Sequence, residues 1–455
     1  MVDLTLVRSA RPVGIDPSRE TVQRVVTTAW VALIVIDRLS FPSMSATVLG
    51  AGSLFLAIFA LARPSVRWTV AALVADEALL LSFSPELGNH IMLRMVVNLF
   101  MLVWLLPIRW SAMVSLRAMV VALYSVAFVH KLNTSFLDPV VSCATLISEV
   151  TLAQFGIDHS SRIVGTTGIV LTLLFEGGLP LLLLFSRTRF AALALGTIFH
   201  TGLAVVPIGG VASFSGFMFV AYFGFGSPSL LSELNTLLEW IRDQVARLNS
   251  AIFTFIVAVA VAVFTGVASV SPGAPGLVVL PTTFLVGCGM VVLLWRHRDD
   301  RRVVHLSERS TGELVGAALM LAFIVGSSLL PFMGGRTHAS FSMFSNLRTE
   351  IEANHLFIDL PHVLGYQHDL VVIESVSVRM PGLSPGEGLV TPGYELGRLL
   401  AEVDEEGTIS FTDADGLHEL DFETARARFG EPSWIDTLFY RMRSTEPSGP
   451  VECRH

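Results

Sequence analysis

Residues 161–207, SRIVGTTGIVLTLLFEGGLPLLLLFSRTRFAALALGTIFHTGLAVVP, hold two apolar runs, 161–186 and 190–207, separated by a loop carrying Arg187 and Arg189. Runs of about 17 to 25 predominantly apolar residues are what a lipid bilayer demands of a crossing helix, because 1.5 Å per residue must cover roughly 30 Å of hydrocarbon. A short loop with paired arginines marks the cytoplasmic side of such a hairpin. The stretch therefore reads as two antiparallel membrane helices. Beyond Arg162 at the start of the first run, the ionisable residues inside them are Glu176 in the first and His200 in the second.

The rest of the chain repeats the pattern. Of 455 residues 52% are hydrophobic and only 15% charged, and mean hydropathy is +0.65, more apolar surface than one soluble core could bury. Spans are expected near 23–37, 45–63, 68–84, 91–107, 111–130, 161–186, 190–207, 212–227, 250–270, 277–295 and 312–332. The polar N-terminal segment runs into the first of these without a small-residue cleavage site, so a retained helix is expected. Arginine gives an independent check on the count. Arg8, Arg11, Arg19 and Arg24, then Arg63 and Arg67, Arg109, Arg187 and Arg189, Arg242 and Arg247, and finally Arg296, Arg298, Arg301 and Arg302 all fall on one side. Because basic residues collect in cytoplasmic loops, the pattern predicts an N-in, C-out bundle of about eleven helices in the cell membrane.

Segment 232–249, SELNTLLEWIRDQVARLN, has helical periodicity with its charges on one face and reads as a helix along the cytoplasmic surface. The expected organisation is a transmembrane domain at 1–228, the surface helix at 229–249, three further spans at 250–332 and an extracytoplasmic β-rich domain at 333–455. In that last part HDLVVIESVSVRM (368–380) and GTISFTDADG (407–416) read as strands. A net charge of −8 without a basic block excludes nucleic acid as a partner. Three cysteines, Cys143, Cys288 and Cys453, make neither a disulfide framework nor a zinc site. Free thiols are the default, with a Cys143–Cys453 bond as the one open pairing, and no metal is expected.

An ionisable group in hydrocarbon costs at least about 2.5 kcal/mol, so each needs a partner, a cavity or a function. Asp76 and Glu77 sit within ALVADEALLLSF (72–83). Asn89, His90, Arg94 and Asn98 open NHIMLRMVVNLFMLVW (89–104), His130 and Lys131 end the fifth span, and Glu176 and His200 lie in the hairpin above. Arg117, near the inner start of the fifth span, is expected to snorkel to the interface. Lysine is almost missing from the chain. The structural alternatives are a snorkelling Lys131, carboxylates paired with Arg94, and a histidine that only joins two helices. Set against these, nitrogen-bearing groups at similar depth on three spans describe a polar cavity opening outward. In such a cavity a lysine loses the solvation of its ammonium form and can act as a general base, beside donors for a developing oxyanion.

These residues also carry a resemblance. Asn89-His90, SVAFVHKLNTSFLD (125–138), FEGGLPLLLLFSRTRFAALALGTIFHTGLAV (175–205) and FSGFMFVAYFGF (214–225) resemble the membrane domain shared by vitamin K-dependent γ-glutamyl carboxylases and their bacterial relatives, the horizontally transferred transmembrane (HTTM) proteins. The match covers roughly residues 20–230, and FSMFSNLRTEIEANHLF (341–357) resembles the segment C-terminal to this domain in many bacterial members. The resemblance implies a reduced quinone, menaquinol or vitamin K hydroquinone, as cofactor. It implies Lys131 as base, His200 at the cavity, Asn89, His90, His130 and Arg94 around the quinone, and a peptide or protein substrate on the outer face. The chain departs from the animal enzymes in having His130 before the base, a much shorter outer domain and no segment like a propeptide-docking surface. Two other functions are compatible with the sequence. One is a non-catalytic scaffold, immunity or partner-binding protein; the other is a secondary transporter using Asp76, Glu77 and Glu176 as a proton relay.

Overall fold

A computed structural model describes residues 18–453 apart from 46, 83–87, 107–110, 158–160, 207–210, 248–249, 271–275, 301–310, 343, 361, 368, 379, 381–387, 431–432 and 434–441. The fold is mostly helical. In chain order the helices are α1 (Arg19–Ser40), α2 (Pro42–Ser45), α3 (Val48–Ala62), α4 (Val66–Ser82), α5 (Asn89–Leu105), α6 (Ala112–His130), α7 (Thr134–Leu137), α8 (Cys143–Ala153), α9 (Arg162–Leu184), α10 (Arg189–Leu203), α11 (Val211–Ala221), α12 (Pro228–Ala246), α13 (Ser250–Val270), α14 (Gly276–Arg296) and α15 (Thr311–Leu329).

Every segment expected to cross the membrane is helical. Among the described residues three helices, α6, α9 and α15, are long and apolar enough to do so by themselves. Several others fall short in length or in apolar character. α3, at 15 residues, and α4 and α5, at 17 each, cover only about 23 to 26 Å at 1.5 Å per residue. α1 has length, with 22 residues, but Glu20, Arg24, Asp37 and Arg38 interrupt its apolar character. Serine caps recur where runs begin: Ser18, Ser111, Ser142 and Ser161 each accept a backbone N–H of the helix they start.

α15 packs along α6, α14 along α10 and α11, and α13 against α3, so the last three long helices pack against helices of the first 228 residues. Close approach is built in by glycine. A side chain at Gly177 would meet the Phe128 ring at 2.9 Å, and one at Gly287 would meet Thr201 Oγ1 at 2.1 Å. Gly177 thus marks a tight α6–α9 contact, just before the proline inside α9, Pro180.

The C-terminal part holds a four-stranded antiparallel sheet of order β2-β1-β3-β4, made of β1 (Leu370–Val376), β2 (Leu389–Pro392), β3 (Thr408–Asp413) and β4 (Gly416–Asp421), with α16 (Gly393–Ala401) and α17 (Phe422–Phe429) packed on it. The two segments read as strands from alternation are β1 and β3. Their inward residues, Val371, Ile373, Ile409 and Phe411, make the small core with Leu396 and Leu400 of α16.

Between α15 and the sheet, the tail is sewn onto the bundle. Leu356 N–H donates to Leu132 O at 2.9 Å and Thr134 N–H to Asn354 O at 3.0 Å. Arg348, Glu350 and Asn354 are buried, and this stretch is a contact with the bundle. The cysteines also depart from expectation. Cys143 and Cys453 form a disulfide across 310 residues, and only Cys288 is free. Asn346 explains their meeting, since its Oδ1 accepts from Cys143 N–H and its Nδ2 donates to Val451 O, both at 2.8 Å.

Candidate functional site

α6 presents Tyr124, Ala127 and Lys131 at spacings of three and four, one stripe of a helix. α9 answers with Gly168, Thr172 and Glu176. Between these stripes, closed on other sides by the start of α5, by α8, by α10 and by the tail, lies a cavity of about 590 Å³. Its walls are mostly apolar, with a few convergent polar groups, the usual composition of a small-molecule site.

Lys131 is 4% exposed. Its Nζ donates to Glu176 Oε1 at 3.1 Å, lies 2.9 Å from Oε2, and sits 5.8 Å from the centre of the Phe136 ring. It therefore does not snorkel. The side chain is held because α6 ends at His130 and Lys131 is its C-cap, its N–H bonded back to Phe128 O at 3.1 Å.

Asn89, the first residue of α5, lines the cavity and accepts through Oδ1 the backbone N–H of Phe341. Phe341 and Phe344 of the tail form part of the wall, and both have left-handed backbone, with φ of 60° and 54°. Bulky residues are held in that region only where surrounding contacts over-determine them. Here the contacts include the Asn89 bond and Asn133, whose Nδ2 donates to Ser345 O at 2.6 Å.

His200 is fully buried on the cavity wall. Tyr124 Oη lies 2.7 Å from its Nε2 and is also hydrogen-bonded to Tyr222 Oη. Aromatic rings of Phe199, Phe214, Phe219 and Tyr222 surround the imidazole. Neither tyrosine stood out in the sequence.

Other residues expected at the site lie elsewhere. His130 is one position from Lys131, about 100° around the helix, and faces α15: its Nε2 is 2.9 Å from Ser328 O and its ring packs on Phe332. It does not line the cavity. Arg94 is five positions from Asn89, about 140° away around α5. It is buried in a charge network with Asp37 and Asp76, its Nε 3.1 Å from Asp76 Oδ2. Arg38 joins the network 2.7 Å from Asp37 and 3.5 Å from Asp76. Asn98 donates to Asp76 at 2.9 Å and to Glu77 at 3.1 Å and accepts from Trp30 Nε1 at 2.7 Å. Asp76 and Glu77 thus share this network, while Glu176 has Lys131, so the three carboxylates do not form one relay. Arg117 does not snorkel freely, because its Nε donates to Gly224 O. The side chain of His90 lies outside the described residues.

Lys131, Glu176, Asn89 and His200, from four helices, are therefore the sequence-selected residues that meet at one cavity. Neither a family model, a curated protein nor a solved structure matches this chain, and what the cavity does has to follow from its own residues.

Proposed function

We propose that the chain is a multi-pass protein of the cell membrane, N-in and C-out with about eleven spans, whose outward cavity binds a reduced quinone and uses Lys131 as the base that takes its proton. The observation that carries this reading is the meeting of Lys131, Glu176, Asn89 and His200 on a cavity that is otherwise apolar. Such a site suits a ring that is greasy on its faces and polar at its oxygens. The Cys143–Cys453 bond supports the orientation, because disulfides persist in oxidising compartments outside the cytoplasm.

The choice of amine is itself informative. Lys131 is the sole lysine of the chain, against 30 lysines and arginines together. An arginine stays protonated in proteins, whereas a lysine can give up and regain a proton. Every other basic anchor in this protein is an arginine, and the one side chain able to exchange a proton as an amine lies in the cavity. With the proton of the pair moved onto Glu176, Lys131 Nζ is a free amine that accepts the hydroquinone's proton, and Glu176 stays hydrogen-bonded to the ammonium that results. Asn89 offers a polar atom to the ligand's oxygens, and His200 forms part of the wall. A hydroquinone bound there supplies the acidic O–H and, with O2 as oxidant, the reducing equivalents for the carboxylase-type chemistry that the resemblance implies.

The test is turnover in lipid with reduced menaquinone or vitamin K, O2 and bicarbonate, following quinone epoxide by chromatography. Epoxide formed by wild type and lost in Lys131→Ala supports the base role. Well-folded wild type that neither binds quinone nor makes epoxide overturns it and moves the weight to a partner-binding protein. The proton-relay transporter is the weakest alternative, because Asp76 and Glu77 are tied into the Arg94 network.

A further inference from the structure

We infer that residues 356–363 are a membrane anchor: their apolar side chains dip into the lipid at the C-terminal ends of α6 and α15 and hold the C-terminal domain against the bilayer. The inference rests on the membrane reading above and extends it to a segment outside any span. Among the described residues after α15, six large apolar side chains are exposed: Ile351, Leu356, Phe357, Leu360, Val363 and Leu417. Four of the six fall within residues 356–363, and Phe357 and Val363 are 77% and 69% exposed. Single exposed apolar residues are normal on any protein, whereas a cluster marks a surface that something covers.

Both ends of the segment are tied to helices of membrane type. At one end Leu356 N–H donates to Leu132 O at 2.9 Å, just past α6, and His355 Nε2 lies 2.8 Å from Val129 O. At the other Leu364 N–H donates to Met333 O at 2.9 Å, just past α15. α6 and α15 pack along each other, and the segment joins their C-terminal ends, so those ends lie on one face of the bundle. Each helix has 19 residues, about 28 Å at 1.5 Å per residue, close to the roughly 30 Å of hydrocarbon in a bilayer. Their ends therefore sit where hydrocarbon gives way to headgroups, and residues 356–363 sit there with them.

What covers the cluster follows from the surface it continues. α15 keeps Val315, Leu319, Val325 and Leu329 exposed along its length, the apolar face that a span turns to lipid. Leu329 ends that face one turn before Met333, where the segment is tied, so Val363 and its neighbours prolong a lipid-facing surface at headgroup depth. The backbone suits this place as well. His355 Nδ1 accepts the N–H groups of Phe357 and Ile358 at 3.2 and 3.0 Å, so the turn that carries Phe357 does not bring bare donors to lipid. Asp359 is exposed between the apolar side chains, and a carboxylate is costly in hydrocarbon but not among headgroups. That limits the insertion to the boundary, the depth at which amphipathic segments rest on a bilayer.

The experiment is spin-label relaxation on the full chain in lipid nanodiscs, comparing oxygen, which concentrates in lipid, with a water-soluble nickel chelate. Nitroxides go on single introduced cysteines in a Cys288→Ser background that keeps the Cys143–Cys453 bond. Phe357→Cys and Val363→Cys carry the test. Leu417→Cys, at an exposed position of β4, is the reference for water, and Leu174→Cys, at a 65% exposed position in the middle of α9, is the reference for lipid. The expected result is an oxygen-to-nickel ratio at 357 and 363 several-fold above that at 417 and below that at 174. A ratio at either site no higher than at 417, with 174 high, overturns the anchor and leaves the membrane reading standing. A low ratio at 174 overturns both. Labels at 357 and 363 shielded from both reagents would mean that protein, a second copy or a partner, covers the cluster in place of lipid, and would overturn the anchor too.

Discussion

Lys131 Nζ lies 2.9 Å from Glu176 Oε2, and the two side chains are only 5% and 13% exposed. Removing one partner of such a pair leaves the other buried without a counter-charge, which typically costs about 3–5 kcal/mol, whereas replacing both by uncharged groups is often close to neutral. Glu176→Gln alone is therefore expected to lower stability sharply, and Lys131→Met with Glu176→Gln to recover most of the loss. Thermal unfolding of the three proteins in one detergent checks this. If the double variant is no more stable than Glu176→Gln alone, the two residues do not act as a pair.

Because Lys131 is the only lysine, amine-directed chemistry becomes site-specific apart from the N-terminus. Reductive methylation with peptide mass mapping should label residue 131 slowly in the free protein and more slowly with a quinone bound. Equal labelling with and without quinone would show that the ligand does not reach the cavity.

The cysteines give a stoichiometric test. Denatured, unreduced protein should take one alkyl group, on Cys288, and reduced protein three. Three groups without reduction would mean that the tail is not covalently tied to the bundle.

Interactions differ in whether they leave a local trace in the sequence. Uncharged runs announce helices because lipid tolerates nothing else, and Lys131, Glu176, Asn89 and His200 stood out because polar groups there are costly. β1 and β3 showed alternation. β2 is four residues long and buried throughout, so it had no pattern to show. Tyr124 and Tyr222 carry no charge and read as part of apolar runs. Asp37 and Arg38 sit at the edge of the expected span 23–37, in the last turn of α1, and were not singled out, although both are fully buried. His130 was misplaced for a geometric reason: proximity to Lys131 in sequence is divergence on a helix. The Cys143–Cys453 bond depends on contacts 310 residues apart, and nothing local foretells those.

The C-terminal domain has its own pH dependence. Asp421 is the N-cap of α17, its Oδ1 accepting from Thr424 N–H at 2.7 Å. Its carboxyl is held below the usual value first by that backbone N–H and then by the Thr424 side chain. A folded-state value lower than the unfolded one means the carboxylate stabilises the fold. That contribution is complete above the unfolded value, about 3.9, and is lost as pH falls through the lower, folded one. Hydrogen exchange of residues 422–429, corrected for intrinsic rates, should show less protection in Asp421→Ala than in wild type at about pH 6. The difference should shrink toward about pH 3, where the wild-type cap is increasingly protonated. A gap that stays constant with pH would assign the effect to the shape of the side chain and not to its charge.

Phe344 allows strain and wall to be separated. Its φ of 54° suits glycine, not a bulky residue, and the left-handed region costs roughly 1–2 kcal/mol for an ordinary side chain. Phe344→Ala keeps that cost and loses the ring, while Phe344→Gly loses the ring and relieves the backbone. The glycine variant should then be the more stable of the two by roughly 1 kcal/mol, after the extra freedom glycine gains when unfolded is set against it. Both variants remove the same piece of cavity wall, so both should weaken binding of the cavity's ligand to a similar degree. Equal stabilities in unfolding measurements would show that the tail does not hold this residue under backbone strain. Weaker binding in only one variant would show that the backbone of the tail, and not the ring, shapes this side of the site.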